Sequence, residues 1–265
     1  MTPQFQNKEY FSALSIAGSD PSGGAGVQMD LKMFSMTGVW GMAVITALTA
    51  QNAAKVTGSW PIEPKIVKTQ IQTVFEDMTP GAVKTGMLAN SRIIKAVDKA
   101  LPTTIPLVVD PVMVSTSGYR LLDEDAVRDI RETLTPRAHL ITPNIPEAEI
   151  LANMTISCEE EMLIAGKNII DLGAQQVIIK GGHGTGNEAI DLLIRKNDVS
   201  RFTHARLPYD VHGSGCAFSA AITGYIAQGF DDAHACEKAK DLISNGIKHA
   251  ISGTSGFKMI QPLYR

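Results

Sequence analysis

The chain has few cysteines, no run of one charge and no long apolar stretch, and each absence removes a class of protein. Three cysteines, Cys158, Cys216 and Cys236, are odd in number and show no C-x-x-C spacing. A disulfide framework and a structural zinc site are therefore not expected. Lysine and arginine form no block and the net charge is −3, so nothing calls for a nucleic-acid backbone or an anionic membrane surface. The longest apolar run, near 39–50, is broken by Gly41, Thr46 and Thr49, too short and too mixed to span a bilayer. Residues 1–10 are polar and lack the apolar stretch of a signal peptide. They are expected to be a flexible tail on a cytoplasmic protein.

What is present is an ordinary globular balance, 44% apolar and 19% charged residues in 265. That length suits one large α/β domain spanning 1–265. Short apolar runs alternate with longer amphipathic ones. Strands are expected at Leu14–Ala17, Met42–Gln51, Ala82–Thr85, Leu107–Asp110, Leu140–Thr142 and Val177–Lys180, with a hairpin at Glu188–Ile194 and Arg201–Leu207. Helices are expected near Val27–Met36, Lys65–Phe75, Gly215–Ala227 and Ala233–Ile251. Alternation of this kind implies a mainly parallel central sheet with helices on both faces. In such sheets ligands sit beyond the carboxyl ends of the strands, so the loops after the strands are the informative ones.

Gly18-Ser19-Asp20-Pro21-Ser22-Gly23-Gly24-Ala25-Gly26 joins a strand to a helix and lets backbone approach a ligand. It is neither a Walker A loop nor G-x-G-x-x-G, and a tight structural turn explains it equally well. His212-Gly213-Ser214-Gly215-Cys216 opens an apolar helix. Its successive N–H groups suit an anion hole for a transferring phosphoryl group. Cys216 falls in the first helical turn, where the dipole lowers a thiol pKa; the alternative is a small buried cysteine. Lys180, at a strand end beside glycines, meets a nucleotide phosphate or is a solvated turn lysine. Asn144 and Glu147 have the spacing of a capping box. They also suit the water shell of a Mg²⁺ ion, with Asp110 as a second carboxylate.

Together these loops resemble a family. GSDPSGGAGVQMDLK, ITALTAQN, KTGML, DPVM, TPNIPEAE, KGGH and HGSGC followed by FSAAI stand in the order found in hydroxymethylpyrimidine/phosphomethylpyrimidine kinases of thiamin biosynthesis, which belong to the ribokinase-like superfamily. The resemblance runs from about Leu14 to Ile222. It implies two ATP-dependent phosphorylations of 4-amino-5-hydroxymethyl-2-methylpyrimidine. It further implies Gln51, Asp30, Gly18, Met87 and Val112 at the pyrimidine, Gln51 reading its amino edge and Met87 packing on the ring. As ordinary alternatives, Asp30 is a surface helix acid and Met87 core filler. Cys216 resembles the family's base, with Gly213, Ser214 and Gly215 as its anion hole. Lys180 and Asn144 resemble nucleotide elements, and Glu147 and Asp110 metal elements acting through water.

Two places depart from the family pattern. Ser115-Thr116-Ser117-Gly118 stands where Ala-Lys-Ser-Gly is usual, so a basic residue is missing. Ser214 and Ala217 replace threonines, the first of them with its hydroxyl kept. The expected partners are ATP, Mg²⁺ and the aminopyrimidine, with no nucleic acid or membrane, and the expected assembly is a homodimer. The competing readings are a pyridoxal kinase of the same architecture and a ligand-binding protein that has lost catalysis. Gln51 argues against the first, because pyridoxal has no amino group there. The intact phosphate loops argue against the second.

Overall fold

The computed structural model describes residues 10–113, 122, 124–182, 188–206, 209 and 211–263. In chain order the strands are β1 (Ser12–Ala17), β2 (Trp40–Ile45), β3 (Ala47–Gln51), β4 (Val56–Pro61), β5 (Ala82–Thr85), β6 (Leu107–Val109), β7 (Leu140–Ile141), β8 (Gln176–Lys180), β9 (Glu188–Arg195), β10 (Asp198–Ala205), β11 (Val211–His212), β12 (Ile251–Ser252) and β13 (Lys258–Met259). The α-helices are α1 (Gly26–Met36), α2 (Pro64–Asp77), α3 (Ser91–Ala100), α4 (Glu124–Asp129), α5 (Ile145–Ala152), α6 (Glu159–Asp171), α7 (Ser214–Ala227) and α8 (Asp232–Lys248).

Eight strands form one sheet in the order β10-β9-β8-β7-β6-β5-β1-β2. It is parallel from β2 to β8, and β9 and β10 are antiparallel. Strand periodicity divides the core in two. Leu14, Ile16, Val83, Ile141, Val177, Ile179, Leu192 and Ile194 face a layer built from α2 to α6. Their neighbours Ala13, Ala82, Val108, Leu140, Ile178 and Leu193 face α1, α7 and α8. Helices thus cover both faces, as the alternating pattern implies.

From β1 the chain runs outward to β2 and then returns to β5 on the other side of β1. The order therefore reverses beside β1, and a crevice opens there at the carboxyl ends of the strands. Among the described residues no helix is long and apolar enough to cross a membrane.

The structure departs from the sequence reading in three places. Met42–Gln51 is two strands, broken at Thr46, whose N–H bonds Ala17 O at 3.0 Å and whose hydroxyl bonds Met87 O at 2.6 Å. The first bond is the last rung of the β1–β2 ladder, and beyond it the chain leaves the main sheet. β3 then pairs antiparallel with β4, a strand that the reading lacks. α8 stops at Lys248, and Ile251 joins a three-stranded sheet, β11-β13-β12. That small sheet lies directly before α7 and anchors His212, whose carbonyl accepts the N–H of Ile260 at 3.2 Å.

Candidate active site

The two glycine loops pack on each other at the reversal point. Gly213, the N-cap of α7, has φ +83°, and a Cβ there would lie 1.7 Å from Gly24 O. No other residue fits that contact. The first intrahelical bond of α7 runs from Ala217 N to Gly213 O at 2.9 Å. The N–H groups of Ser214, Gly215 and Cys216 are thus the orphan donors of a helix start.

The loop after β1 is held by a residue that the sequence reading passed over. Asp20 receives the N–H and hydroxyl of Ser22 on one oxygen, at 2.9 and 2.7 Å. Its other oxygen meets His212 Nε2 at 3.0 Å. Burial works against the Asp20 charge, but the bonds from His212 and Ser22 outweigh it and hold its pKa below the usual carboxylate value. The same His212 nitrogen lies 3.5 Å from Gln51 Nε2. His212 Nδ1 is buried with no hydrogen-bond partner among the described residues. Gln51, at the end of β3, is thereby brought beside the start of α7. Met87, after β5, is partly buried and meets Gly18, where a Cβ would lie 2.8 Å from its sulfur. Val112, two residues past the Asp110 turn, is half-buried.

Asp30 stands apart from that group. It is fully buried, which rules out a surface helix acid, and it does not present an open polar edge either. Ser15 and Lys84 are register partners on β1 and β5, and both point at α1. There the Asp30 carboxylate takes Ser15 Oγ at 2.6 Å and Lys84 Nζ at 2.7 and 2.8 Å. Burial disfavours the Lys84 charge, but Asp30, Cys216 and Asp110 hold its pKa above the ordinary value. Lys84 carried a readable signal: a lysine inside the short apolar run 82–85 needs a buried counter-ion.

From Lys84 the charges alternate across the crevice. Asp110 lies 4.0 Å from Lys84 Nζ and 3.3 Å from Lys180 Nζ, and its second oxygen accepts Ser219 Oγ of α7 at 2.9 Å. A Cβ on Gly215 would lie 3.4 Å from Lys180 Nζ, so the ammonium stands at the helix start. Burial lowers the Lys180 pKa, but Asp110 and Glu147 raise it further, so it stays charged. Asn144 and Glu147 form the full capping box of α5, with bonds of 2.8 and 2.9 Å. Burial pushes Glu147 up to about 7; Asp110 adds to the rise, while Lys180 and the backbone N–H groups of Asn144 and Met113 oppose it.

Cys216 reverses an expectation. Its helix position favours a thiolate, yet its thiol is pushed up to about 11. Desolvation is the main cause, reinforced by Asp110 and Asp30 and opposed by Lys84 and the Gly26 N–H. The residue keeps some accessible surface, but the thiol itself is desolvated by the surrounding protein. Cys216 is thus a neutral thiol in the ligand-free protein near neutral pH. The departure at Ser115–Gly118 lies outside the described residues. A groove of about 620 Å³ between β2 and α2, lined by Ala43, Glu63, Ile66 and Gln70, holds none of these site residues.

A phosphomethylpyrimidine kinase family model matches residues 20–261. The chain belongs to the phosphomethylpyrimidine kinase family. The hydroxymethylpyrimidine/phosphomethylpyrimidine kinase of Bacillus subtilis is 42% identical over 253 residues, 93% of this chain and 91% of that one. The crystal structure of phosphomethylpyrimidine kinase from Clostridium difficile superposes with a TM-score of 0.80 at 44% identity, covering 89% of this kinase and 99% of that chain. A pyridoxal kinase from Bacillus subtilis, solved as an ADP complex, superposes with a TM-score of 0.88 at 34% identity over 96% of this kinase and 97% of that chain. The ribokinase-like architecture and the phosphotransferase class follow.

Proposed function

We propose that this kinase transfers the γ-phosphoryl group of ATP to the hydroxymethyl arm of 4-amino-5-hydroxymethyl-2-methylpyrimidine, then transfers a second to the resulting monophosphate, in cytoplasmic thiamin biosynthesis. One observation carries the reading. The orphan N–H groups of Ser214, Gly215 and Cys216, with Lys180 beside them, open next to Gln51, whose amide nitrogen lies 3.5 Å from His212 at the same crevice. Donors aimed at developing phosphoryl charge are the main device of phosphoryl transfer. The Gln51 amide offers one donor and one acceptor to an aminopyrimidine edge, and Gly18 and Met87 flank the ring. Cys216, in its minor thiolate form, is the group proposed to take the alcohol proton.

Among the described residues no cluster of three or more side chains forms a metal cage. Glu147 and Asp110 are two carboxylates already engaged with protein donors. That set fits a Mg²⁺ ion that arrives with the nucleotide and keeps most of its waters, both carboxylates acting through water. Such an ion supplies charge neutralisation on the phosphates.

A homodimer is part of the proposal. Trp60 opposes Leu48 on the β3–β4 hairpin, and both are about half exposed, at 59% and 49%; exposed apolar surface of this kind suits a second copy. The test of function is ADP release by the purified kinase given hydroxymethylpyrimidine or pyridoxal in parallel. Two ADP per pyrimidine, lost with EDTA and restored by Mg²⁺, is the expected result. Turnover of pyridoxal alone would overturn the substrate assignment.

A further inference from the structure

Lys180 is fixed from behind by charges that the reaction does not use. Asp191 on β9 is the cross-strand partner of Lys180 and is buried, 4% exposed. One of its oxygens accepts the N–H of Gly181 at 2.9 Å, and the other takes the ammonium of Lys240, a buried residue of α8. A buried ion pair is a weak source of stability, and apolar residues of similar volume often replace one without loss. Here the carboxylate does something that an apolar side chain cannot do: it holds a backbone N–H in the residue next to Lys180.

The rest of that turn is held as closely. Lys180 N bonds Pro143 O at 2.9 Å. Arg206, just past β10, donates to the carbonyls of Gly181 at 3.2 Å, of Gly182, and of Glu188 at 2.9 Å. One guanidinium thereby ties the strand leaving the site to the strand that returns. A Cβ on Gly181 would lie 1.9 Å from Ile190 O, so the turn is pressed against β9. These bonds fix the backbone from which the Lys180 side chain reaches Asp110 and the start of α7.

We propose that Asp191, braced by Lys240, and Arg206 are positioning residues that aim Lys180 at the nucleotide phosphates. This rests on the reading of Lys180 given above. Two double variants separate positioning from packing. Asp191→Asn with Lys240→Met removes both charges and keeps an acceptor for Gly181 N–H. Asp191→Leu with Lys240→Met removes both charges and the acceptor. The first is expected to hold the KM for ATP within about twofold. The second is expected to raise it about tenfold, as for a displaced binding group, while the KM for the pyrimidine alcohol stays unchanged. Arg206→Lys, which keeps the charge but not the fork, is expected to raise the KM for ATP about threefold at an unchanged melting temperature, which covers the case of a misfolded leucine variant. Lys180→Ala is the control. If it raises the KM for ATP while the leucine pair and Arg206→Lys do not, the positioning role is overturned and the Lys180 assignment stands. If Lys180→Ala leaves that KM unchanged, both are overturned.

Discussion

Glu147 does two things that one substitution separates. Its carboxylate closes the capping box of α5, and it lies buried beside Lys180 and Asp110. Its pKa is raised from 4.5 to about 7 in the fold. The sign follows from linkage: a carboxyl raised on folding binds a proton more tightly in the native state. Its contribution is therefore whole below about pH 4.5 and is lost as pH rises through 7. Glutamine keeps the cap acceptor and never ionises. Glu147→Gln is thus expected to match the parent near pH 4.5 and to exceed its stability at pH 8 by on the order of 1–3 kcal/mol, with a higher Mg²⁺ requirement for turnover. Thermal unfolding at the two pH values checks this; loss of stability at both would mean that the cap itself needs the carboxylate. The box was legible because its spacing is local. The thiol of Cys216 was not, because its burial is a tertiary effect and the carboxylates that add to it, Asp30 on α1 and Asp110 after β6, are far away in sequence.

At the scale of elements, local signals served well where one element buries one face. β1, β5, β8, α1 and α2 stand within a residue or two of their apolar runs. Those signals failed where tertiary bonds decide. The apolar run 42–51 carries no glycine or proline at Thr46, and the break there coincides with the end of the β1–β2 ladder, where the Thr46 hydroxyl bonds Met87 O. Two-residue strands such as β11 and β13 have no sequence period at all.

The amino ends of β7 and β8 carry a clamp that no motif announces. His139 Nε2 meets Asp232 Oδ1 at 2.7 Å, Gln176 donates to the other oxygen of Asp232, and His139 Nδ1 meets Gln175 Oε1 at 3.2 Å. The bond to Asp232 raises the His139 pKa over the opposition of burial. Burial raises the Asp232 pKa, but the bonds from His139 and Gln176 lower it further. The histidine contribution is therefore whole below about 6.5 and is lost as pH rises through its folded value. The aspartate contribution is present above 3.8 and lost below it. His139→Gln is expected to cost about 1 kcal/mol near pH 6 and less at pH 9, read by denaturant unfolding. An equal cost at both would leave only packing.

For the whole molecule, the βα alternation foretold that the loops after the parallel strands gather at one end of the sheet. The loops after β1, β5, β6, β7 and β8 and the start of α7 do converge there. What the alternation did not foretell is the charge ladder Asp30–Lys84–Asp110–Lys180–Glu147 that links them, because its members lie on five separate segments. On the reading proposed above, one anion hole serves two chemically different phosphorylations, and only the first needs a base. The alcohol must lose a proton, whereas a phosphate monoester, with a second pKa of about 6, is already ionised. The deciding measurement feeds the alcohol and the monophosphate separately to the same Cys216→Ala preparation across pH 6 to 10. With the thiol pushed up to about 11, parent turnover of the alcohol should rise with pH and that of the monophosphate should not. Cys216→Ala should lower the alcohol step by about 10²–10⁴-fold and remove its alkaline rise, with less than about a tenfold loss on the monophosphate. Equal losses on both substrates, with the rise intact, would show that Cys216 is not the base.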